Sequence, residues 1–573
     1  MNSINKISSL FNFAQKRKLY LLLVVIFCVS IMDLLGIGAV LPILIIFSDP
    51  AFIQNKYISL LIENFHFLNE NNFLNYSIFF LLVIFIFKTI LSLVLNFVKY
   101  RILLGFYAQI SNKLMNIYIR LPYSEFIKLR IFEKSNTLKT EIEYFVLGVI
   151  DPLLVISLEI LTIVLISFFL IFYDSGLLIK IFFFGSLITV ILTYFFGKKL
   201  KKLGSQKFML NNLLQQQIFQ GLQGIKDIKL SLKESLFHEK FSNITSRMSF
   251  TASYIRALQE TPRLIIELFA VLCFILIAII SDSDQNNFSN IIVTLGIFAA
   301  AAFRILPSLN RIVVATNSIK QSHSVINTIY DDFQLEKQIF EKEKLNFVVE
   351  KIQKIEIKKL NFRYFESKEF ILKDLDLSIN FGDYIGIFGE SGSGKSTFVD
   401  IFSGLLTPQS GELLFNNKDV KSNVNLWKSA IGYVPQSIYL NNETLKENIA
   451  FGEKFEDIND KRIIDVVKMA RLEGLVKTIE GGINGIIGEN GVNLSGGQIQ
   501  RLGIARALYR DPQILIFDES TNSLDLNTEN EFMNIVNSLK GKKIIIFISH
   551  QLKVLEKCNK LFELQNGKLI KKN

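Results

Sequence analysis

The chain has 573 residues, of which half are hydrophobic and one fifth charged, with a formal net charge of +11. That length exceeds one ordinary domain and leaves room for two or three. The apolar share excludes an ordinary soluble globular protein and points to membrane spans. The basic balance has three readings: nucleic acid, cytoplasmic loops beside a membrane, or a Lys-, Asn- and Ile-rich proteome. Cys28, Cys273 and Cys558 have no metal or redox spacing, and the four scattered histidines argue against a zinc site.

In chain order, the first apolar run is about twice too long for a signal-peptide core and no small-residue cleavage site follows it, so it reads as a span. Six segments reach the ~20 residues a bilayer crossing needs. They lie near 19–47, 76–104, 144–172, 176–197, 262–281 and 291–309. The third and fourth are joined only by Tyr173-Asp174-Ser175-Gly176, which predicts a tight turn. Lys16, Arg17 and Lys18 precede the first span. The loop 105–143 carries Lys113, Arg120, Lys128, Arg130, Lys134 and Lys139, and the loop 198–261 opens with Lys198, Lys199, Lys201 and Lys202. The alternate loops are nearly free of positive charge, with only Lys56 in 48–75 and none in 282–290. The positive-inside rule then puts the N-terminus, both long loops and everything after the sixth span in the cytoplasm. Both long loops have helical patterning. Helices of about 40 residues would reach about 60 Å, well beyond the hydrocarbon core.

The pattern predicts a transmembrane domain over 1–330, a charged linker over 331–345 and an α/β domain over 346–573. In the last, Gly389-Glu390-Ser391-Gly392-Ser393-Gly394-Lys395-Ser396 fits GxxxxGK[ST] between an apolar run, Tyr384 to Phe388, and a helical pattern from Thr397. Gly389, Gly392 and Gly394, with Ser391, let backbone N–H groups turn toward phosphate, and the following helix N-terminus adds a favourable dipole. Lys395 is placed for the β- and γ-phosphates and Ser396 for Mg²⁺. The apolar strand 514–517 ends in Asp518, suited to Mg²⁺, and Glu519, suited to polarise an attacking water.

Leu494-Ser495-Gly496-Gly497-Gln498 then follows. With it, residues 350–573 resemble the nucleotide-binding domains of ABC exporters of the type IV, half-transporter class. The resemblance implies a six-span helical membrane domain with a P-loop ATPase domain, in a domain-swapped homodimer using ATP and Mg²⁺. It implies that Tyr364 stacks on adenine and that Gln436, after Tyr433-Val434-Pro435, senses Mg²⁺. Thr397 joins the phosphate site. Ser495, Gly497 and Gln498 face the P-loop of a second copy. Gly488-Glu489-Asn490-Gly491 resembles the exporter X-loop, and Ser523-Leu524-Asp525 the D-loop. His550, after the run 543–549, resembles the switch histidine at the γ-phosphate; the common Arg after it is Gln551 here. Catalysis then rests on Glu519, His550 and Gln436. Gln220 to Leu232 and Tyr123 to Arg130 resemble the coupling turns, although an ordinary amphipathic helix would read the same way.

Basic residues within spans carry the substrate reading, because a charge at membrane depth is costly. These are Lys88, Arg263, Arg304 and Arg311, the last two seven residues apart on one helix face. Snorkelling, or pairing with Glu267, is the alternative. Arg304 to Arg311, Pro262-Arg263 and the stretch 48–57 resemble bacterial lipid-linked oligosaccharide flippases, with Lys88 where that family has Arg. An amphipathic external helix over 52–66 fits the same pattern. The resemblance implies flipping of a polyprenyl-pyrophosphate glycan across the bacterial cytoplasmic membrane, with no nucleic-acid partner. A lipid A-like or multidrug exporter is the alternative, and an ATP-gated channel or regulator the second. A peptide exporter would be expected to carry a Cys/His peptidase domain before the first span.

Overall fold

The computed structural model describes residues 3–24, 27–28, 30–31, 70–171, 175–282, 288–339, 350–365, 367–488, 494–520 and 526–572. The chain divides into two compact units. One is Met1–Leu121 with Glu125–Phe340, and the other is Pro122–Ser124 with Glu341–Asn573.

The first unit is helical. Its main helices are α1 (Glu70–Arg120), α2 (Asp151–Ile171), α3 (Ser175–Gln223), α4 (Ile225–Leu230), α5 (Glu234–Asp282), α6 (Phe288–Gln321) and α7 (His323–Gln334). The segments 76–104, 176–197, 262–281 and 291–309 lie within α1, α3, α5 and α6, and 144–171 is helical throughout. Of 19–47 only residues up to 24, with 27–28 and 30–31, are described, and these are helical. The external segment 52–66 lies outside the described residues. The helices exceed their expected length: α1 has 51 residues and α3 and α5 have 49, or roughly 75 Å each at 1.5 Å per residue. Ser175 and Gly176, which the sequence placed in a tight turn, already belong to α3; Tyr173 and Asp174 lie outside the described residues.

Composition explains why these helices sit in a membrane. Ile78–Arg120 and Ile131–Phe168 are, among the described residues, long and apolar enough to cross one, and in the first only 6% of the apolar stretch is buried. Phe79, Phe80, Phe87, Leu93 and Phe97 all face outward. Water would not tolerate such a surface, and lipid favours it.

The stretch before α2 contains two π-helical segments, Thr137–Glu141 and Val146–Ile150. π-turns are rare and mark local departures from regular packing. Around them Leu103, Leu114, Ile142, Phe145 and Ile329 form a fully buried core. The buried carboxylate of Asp332 in this core is paired, as burial demands. Asp332 accepts from the Tyr118 hydroxyl at 2.5 Å and from Lys134. Two glycines clasp the junction of α6 and α7. A Cβ on Gly204 would lie 2.1 Å from the Gln321 carbonyl oxygen, and one on Gly148 2.5 Å from Ser322 Oγ.

The second unit is α/β. β1 (Lys354–Phe362), β2 (Leu372–Asn380), β4 (Ser410–Phe415) and β5 (Lys418–Asp419) form an antiparallel sheet in the order β2-β1-β4-β5. The larger sheet runs β10-β9-β3-β8-β7-β6, with β3 (Tyr384–Phe388), β6 (Ile431–Val434), β7 (Ile514–Asp518), β8 (Ile544–Ile548) and β9 (Lys560–Gln565) mutually parallel. β10 (Lys568–Lys572) pairs antiparallel to β9. The run IIIFI of β8 is buried at every position, as a parallel strand covered on both faces requires. Trp427, the chain's one tryptophan, is fully buried between Phe402 and Phe415 and donates its indole N–H to the Phe402 carbonyl at 2.6 Å. Truncation would leave a cavity and an orphaned carbonyl. Trp427→Ala is therefore expected to destabilise the unit by about 3–5 kcal/mol, read as a lowered thermal midpoint by circular dichroism.

Candidate functional site

The chemistry-bearing residues stand just past the C-terminal ends of the parallel strands. Gly389 follows β3, Gln436 follows β6 by one residue, Glu519 follows β7, and Ser549-His550 follows β8. Parallel pairing puts all four ends on one edge of the sheet, where such folds bind ligands.

The loop Gly389–Gly394 leads into α8 (Lys395–Phe402). Gly392 and Gly394 have φ of +82° and +103°, which a side chain would strain. A Cβ on Gly389 would lie 2.4 Å from the Leu564 carbonyl oxygen, so only glycine lets the loop start so close to β9. Lys395 is buried and donates Nζ–H to the carbonyls of Gly389 and Glu390, both at 2.9 Å. The ammonium is thus held over the loop, with Glu519 Oε1 at 3.8 Å. Ser396 is exposed at the start of α8, and buried Thr397 bonds the Tyr364 hydroxyl at 3.3 Å. Tyr364 also packs edge-on to Phe362.

Glu519 takes φ of +46°, a conformation that costs a non-glycine residue roughly 1–3 kcal/mol. Its N–H is fixed to the Ile548 carbonyl at 2.9 Å. Gln436 donates Nε2–H to Glu519 Oε2 at 3.2 Å, and His550 Nδ1 lies 4.0 Å from that same oxygen. One carboxylate is thus surrounded by the amide, the ammonium and the imidazole that sequence reasoning had assigned separately.

Three contributors were not foreseen. The Tyr433 hydroxyl donates to Asp518 Oδ2 at 3.1 Å. Gln500 donates Nε2–H to the Gln436 carbonyl at 3.2 Å. Asp400, on α8, has its carboxyl pushed up to about 6 by burial and then by the Asp518 charge. Burial also raises Asp518, with Glu519 adding to the effect and Tyr433 and Lys395 opposing it. A buried acid pair of this kind would gain from a cation.

The signature segment has its own local logic. Ser495 caps α9 (Gly496–Tyr509): it accepts from Gln498 N–H, while Gln498 Oε1 accepts from Ser495 N–H at 2.8 Å. This reciprocal capping box fixes the turn carrying Gly497. Gly488 is described, at φ +76°, but Glu489–Gly491 and Asp525 lie outside the described residues.

Among the basic residues of the spans, Lys88 lies 5.3 Å from the Phe85 ring centroid. Arg263 donates to Glu267 at 2.8 Å within its own helix, which is the pairing considered from sequence. Arg311 instead donates to Glu159 Oε1 on α2 at 2.7 Å. The Arg304 backbone lies in α6, and its side chain is outside the described set.

Residues 372–522 match the family described as ABC transporter. The whole chain has the fold of a bacterial Atm1-family ABC exporter with ATP bound, with a TM-score of 0.80, 18% identity, and coverage of 98% of this chain and 95% of that one. Residues 372–522 are an ABC transporter domain, on a chain with the exporter fold. The chain is 25% identical over 471 residues to the ATP-dependent lipid A-core flippase of Vibrio vulnificus, spanning 81% of this chain and 79% of that protein. It is 33% identical over 271 residues to the mitochondrial iron-sulfur clusters transporter ATM1 of Saccharomyces cerevisiae, spanning 47% and 39%. In this exporter the α/β unit is the ATPase domain, which couples ATP hydrolysis to transport through the helical transmembrane unit.

Asp400 gives the ATPase domain a testable pH dependence. Its folded value, about 6, exceeds the ordinary 3.8, so the stability it contributes is full below about 3.8 and is lost as pH rises through about 6. Asp400→Asn removes that loss. The melting temperature of the variant should gain on wild type between pH 5 and pH 7.5; a constant difference would contradict the assignment.

Proposed function

We propose that this exporter works as a homodimer in the bacterial cytoplasmic membrane and flips a phosphate-bearing glycolipid, of which a polyprenyl-pyrophosphate-linked oligosaccharide is the first candidate. The ATP half of the reading follows from the site. Tyr364 stacks on adenine, while the loop Gly389–Gly394, Lys395 and Thr397 hold the phosphates. Ser396, Gln436 and Asp518 offer oxygen ligands to Mg²⁺, which would neutralise charge on the phosphates. Glu519 orients and polarises the attacking water, and His550 faces the γ-phosphate. Ser495, Gly497 and Gln498 of a second copy complete each site. Each needed half occurs once in the chain, and neither Glu519 nor His550 is replaced, so two equal sites are the simplest arrangement.

One observation carries the substrate half: the span-bearing helices hold a half-exposed arginine, Arg311, kept in place by a buried carboxylate. Guanidinium matches phosphate geometry better than ammonium does. Lys88, Arg263 and Arg304 add basic character, although the local ion pair weakens the case for Arg263. The relation to a lipid A-core flippase over 81% of the chain favours a second reading, a lipid A-like substrate. Both lipids present phosphate beside sugar. A multidrug exporter has less to recommend it, since it would favour an apolar lining. A channel or regulator would have no need of the polarising carboxylate.

ATPase turnover of the full chain in lipid separates these readings. Glu519→Gln should lose roughly 10²–10³-fold, as for a catalytic group; wild-type turnover would remove Glu519 from the mechanism. Stimulation by the pyrophosphate-linked glycan, lost in Arg304→Ala, supports the first reading. Stimulation by lipid A alone supports the second.

A further inference from the structure

Arg311 and Glu159 are an unequal pair. They lie on different helices, 152 residues apart in sequence. The Glu159 side chain is 1% exposed and that of Arg311 is 47% exposed. A carboxylate this deep between spans is retained only if something compensates its charge, and Arg311 Nη1 does so through Oε1 at 2.7 Å. The other oxygen, Oε2, has no hydrogen-bond partner among the described residues. One turn on, Thr162 is fully buried and bonds Ser30 Oγ at 3.3 Å, so this face of α2 is packed and cannot follow Arg311 outward.

The asymmetry has a directional consequence. A guanidinium is a planar fork with five N–H donors. Here one arm is fixed to a rigid, buried acceptor, and half of the side chain stays open. Arg263 is different. Its partner Glu267 lies one turn away on the same helix, and both side chains are more than half exposed, at 61% and 54%. Such a pair is loose and aims at nothing.

We propose that Glu159 is a positioning residue for the substrate. It holds one edge of the Arg311 guanidinium from behind and turns the remaining donors toward a phosphate-bearing head group. This rests on the anionic-lipid reading above and adds to it a residue that no local sequence signal singles out. Glu159 does not touch the lipid. Its effect is to pre-orient a flexible side chain, which lowers the ordering cost of binding.

The test uses the full-length protein in lipid nanodiscs. ATPase turnover is titrated with undecaprenyl pyrophosphate, with lipid A, and with uncharged undecaprenol. The variants are Glu159→Ala and Glu159→Gln, the second keeping an oxygen for the same N–H. The expected result is a tenfold or greater rise in the half-saturating concentration of the stimulating phospholipid for Glu159→Ala. Glu159→Gln should recover most of that affinity, and neither variant should respond to undecaprenol. If wild type responds and Glu159→Ala has the same half-saturating concentration, the positioning role is overturned while the lipid reading stands. If Glu159→Ala lowers the melting temperature and only the maximal rate falls, Glu159 is a helix staple and the proposal fails. If wild type responds to neither phosphate lipid, the lipid reading falls and takes this proposal with it. A response to lipid A with the same variant pattern keeps the positioning role and changes the lipid.

Discussion

Parallel pairing of β3, β8, β7 and β6 is the constraint on which the ATPase domain depends. A parallel ladder fixes not only neighbours but ends, so every loop leaving a strand's C-terminus emerges on the same edge. Register then does the fine work. Ile387 stands opposite Ile548, and Asp518 opposite Ile548 on the other side. The residues just beyond these positions, Gly389, Glu519 and His550, are therefore brought together by backbone hydrogen bonds rather than by side-chain attraction. The left-handed turn at Glu519 is tolerable only because its N–H is tied into that ladder at Ile548. The sheet absorbs the strain, and the carboxylate is left where Gln436, Lys395 and His550 can all reach it.

The helical unit obeys a different rule, the cost of uncompensated charge at low dielectric. Its buried ionisable groups come in pairs or small networks: Lys99 with Asp151, Arg311 with Glu159, and Asp332 with both Lys134 and Tyr118. Each ties one helix to another, whereas the outward-facing surface of α1 over 78–98 is largely apolar. Lipid faces the apolar surface, and the polar groups are left to specify which helices meet.

How much could be read beforehand follows from range. The P-loop, the signature turn and the carboxylate pair after β7 are local chemistry, confined to a few adjacent residues, and the sequence displays them directly. The span positions are nearly as legible, because about 20 apolar residues in a row leave few alternatives. Pairings over long separations were not legible. Tyr433 meets Asp518 across 85 residues and Tyr118 meets Asp332 across 214. Nothing local to a tyrosine or a lone Glu159 announces its partner. The π-helical segments and the full length of α1, α3 and α5 were missed for a related reason. Hydrophobic patterning reports where a helix is buried, while its continuation and its local widening into π-turns depend on neighbours elsewhere in the chain.

The glycine clasp at the end of α6 has a mechanical meaning. Gly204 meets the carbonyl oxygen of Gln321 and Gly148 meets the Ser322 hydroxyl, with no β-carbon to spare on either glycine. Side chains yield by changing rotamer; backbone in direct contact with backbone does not. The joint between α6 and α7 is stiffened further by Gln259, which donates to Gln321 Oε1 at 3.0 Å, and by Ser318, which donates to the Gly148 carbonyl at 3.1 Å. A bend placed there would have to open a close-packed seam on two sides. At Gly204, where backbone meets backbone, the joint between α6 and α7 has little slack, so a displacement of α6 there has to carry the start of α7 with it.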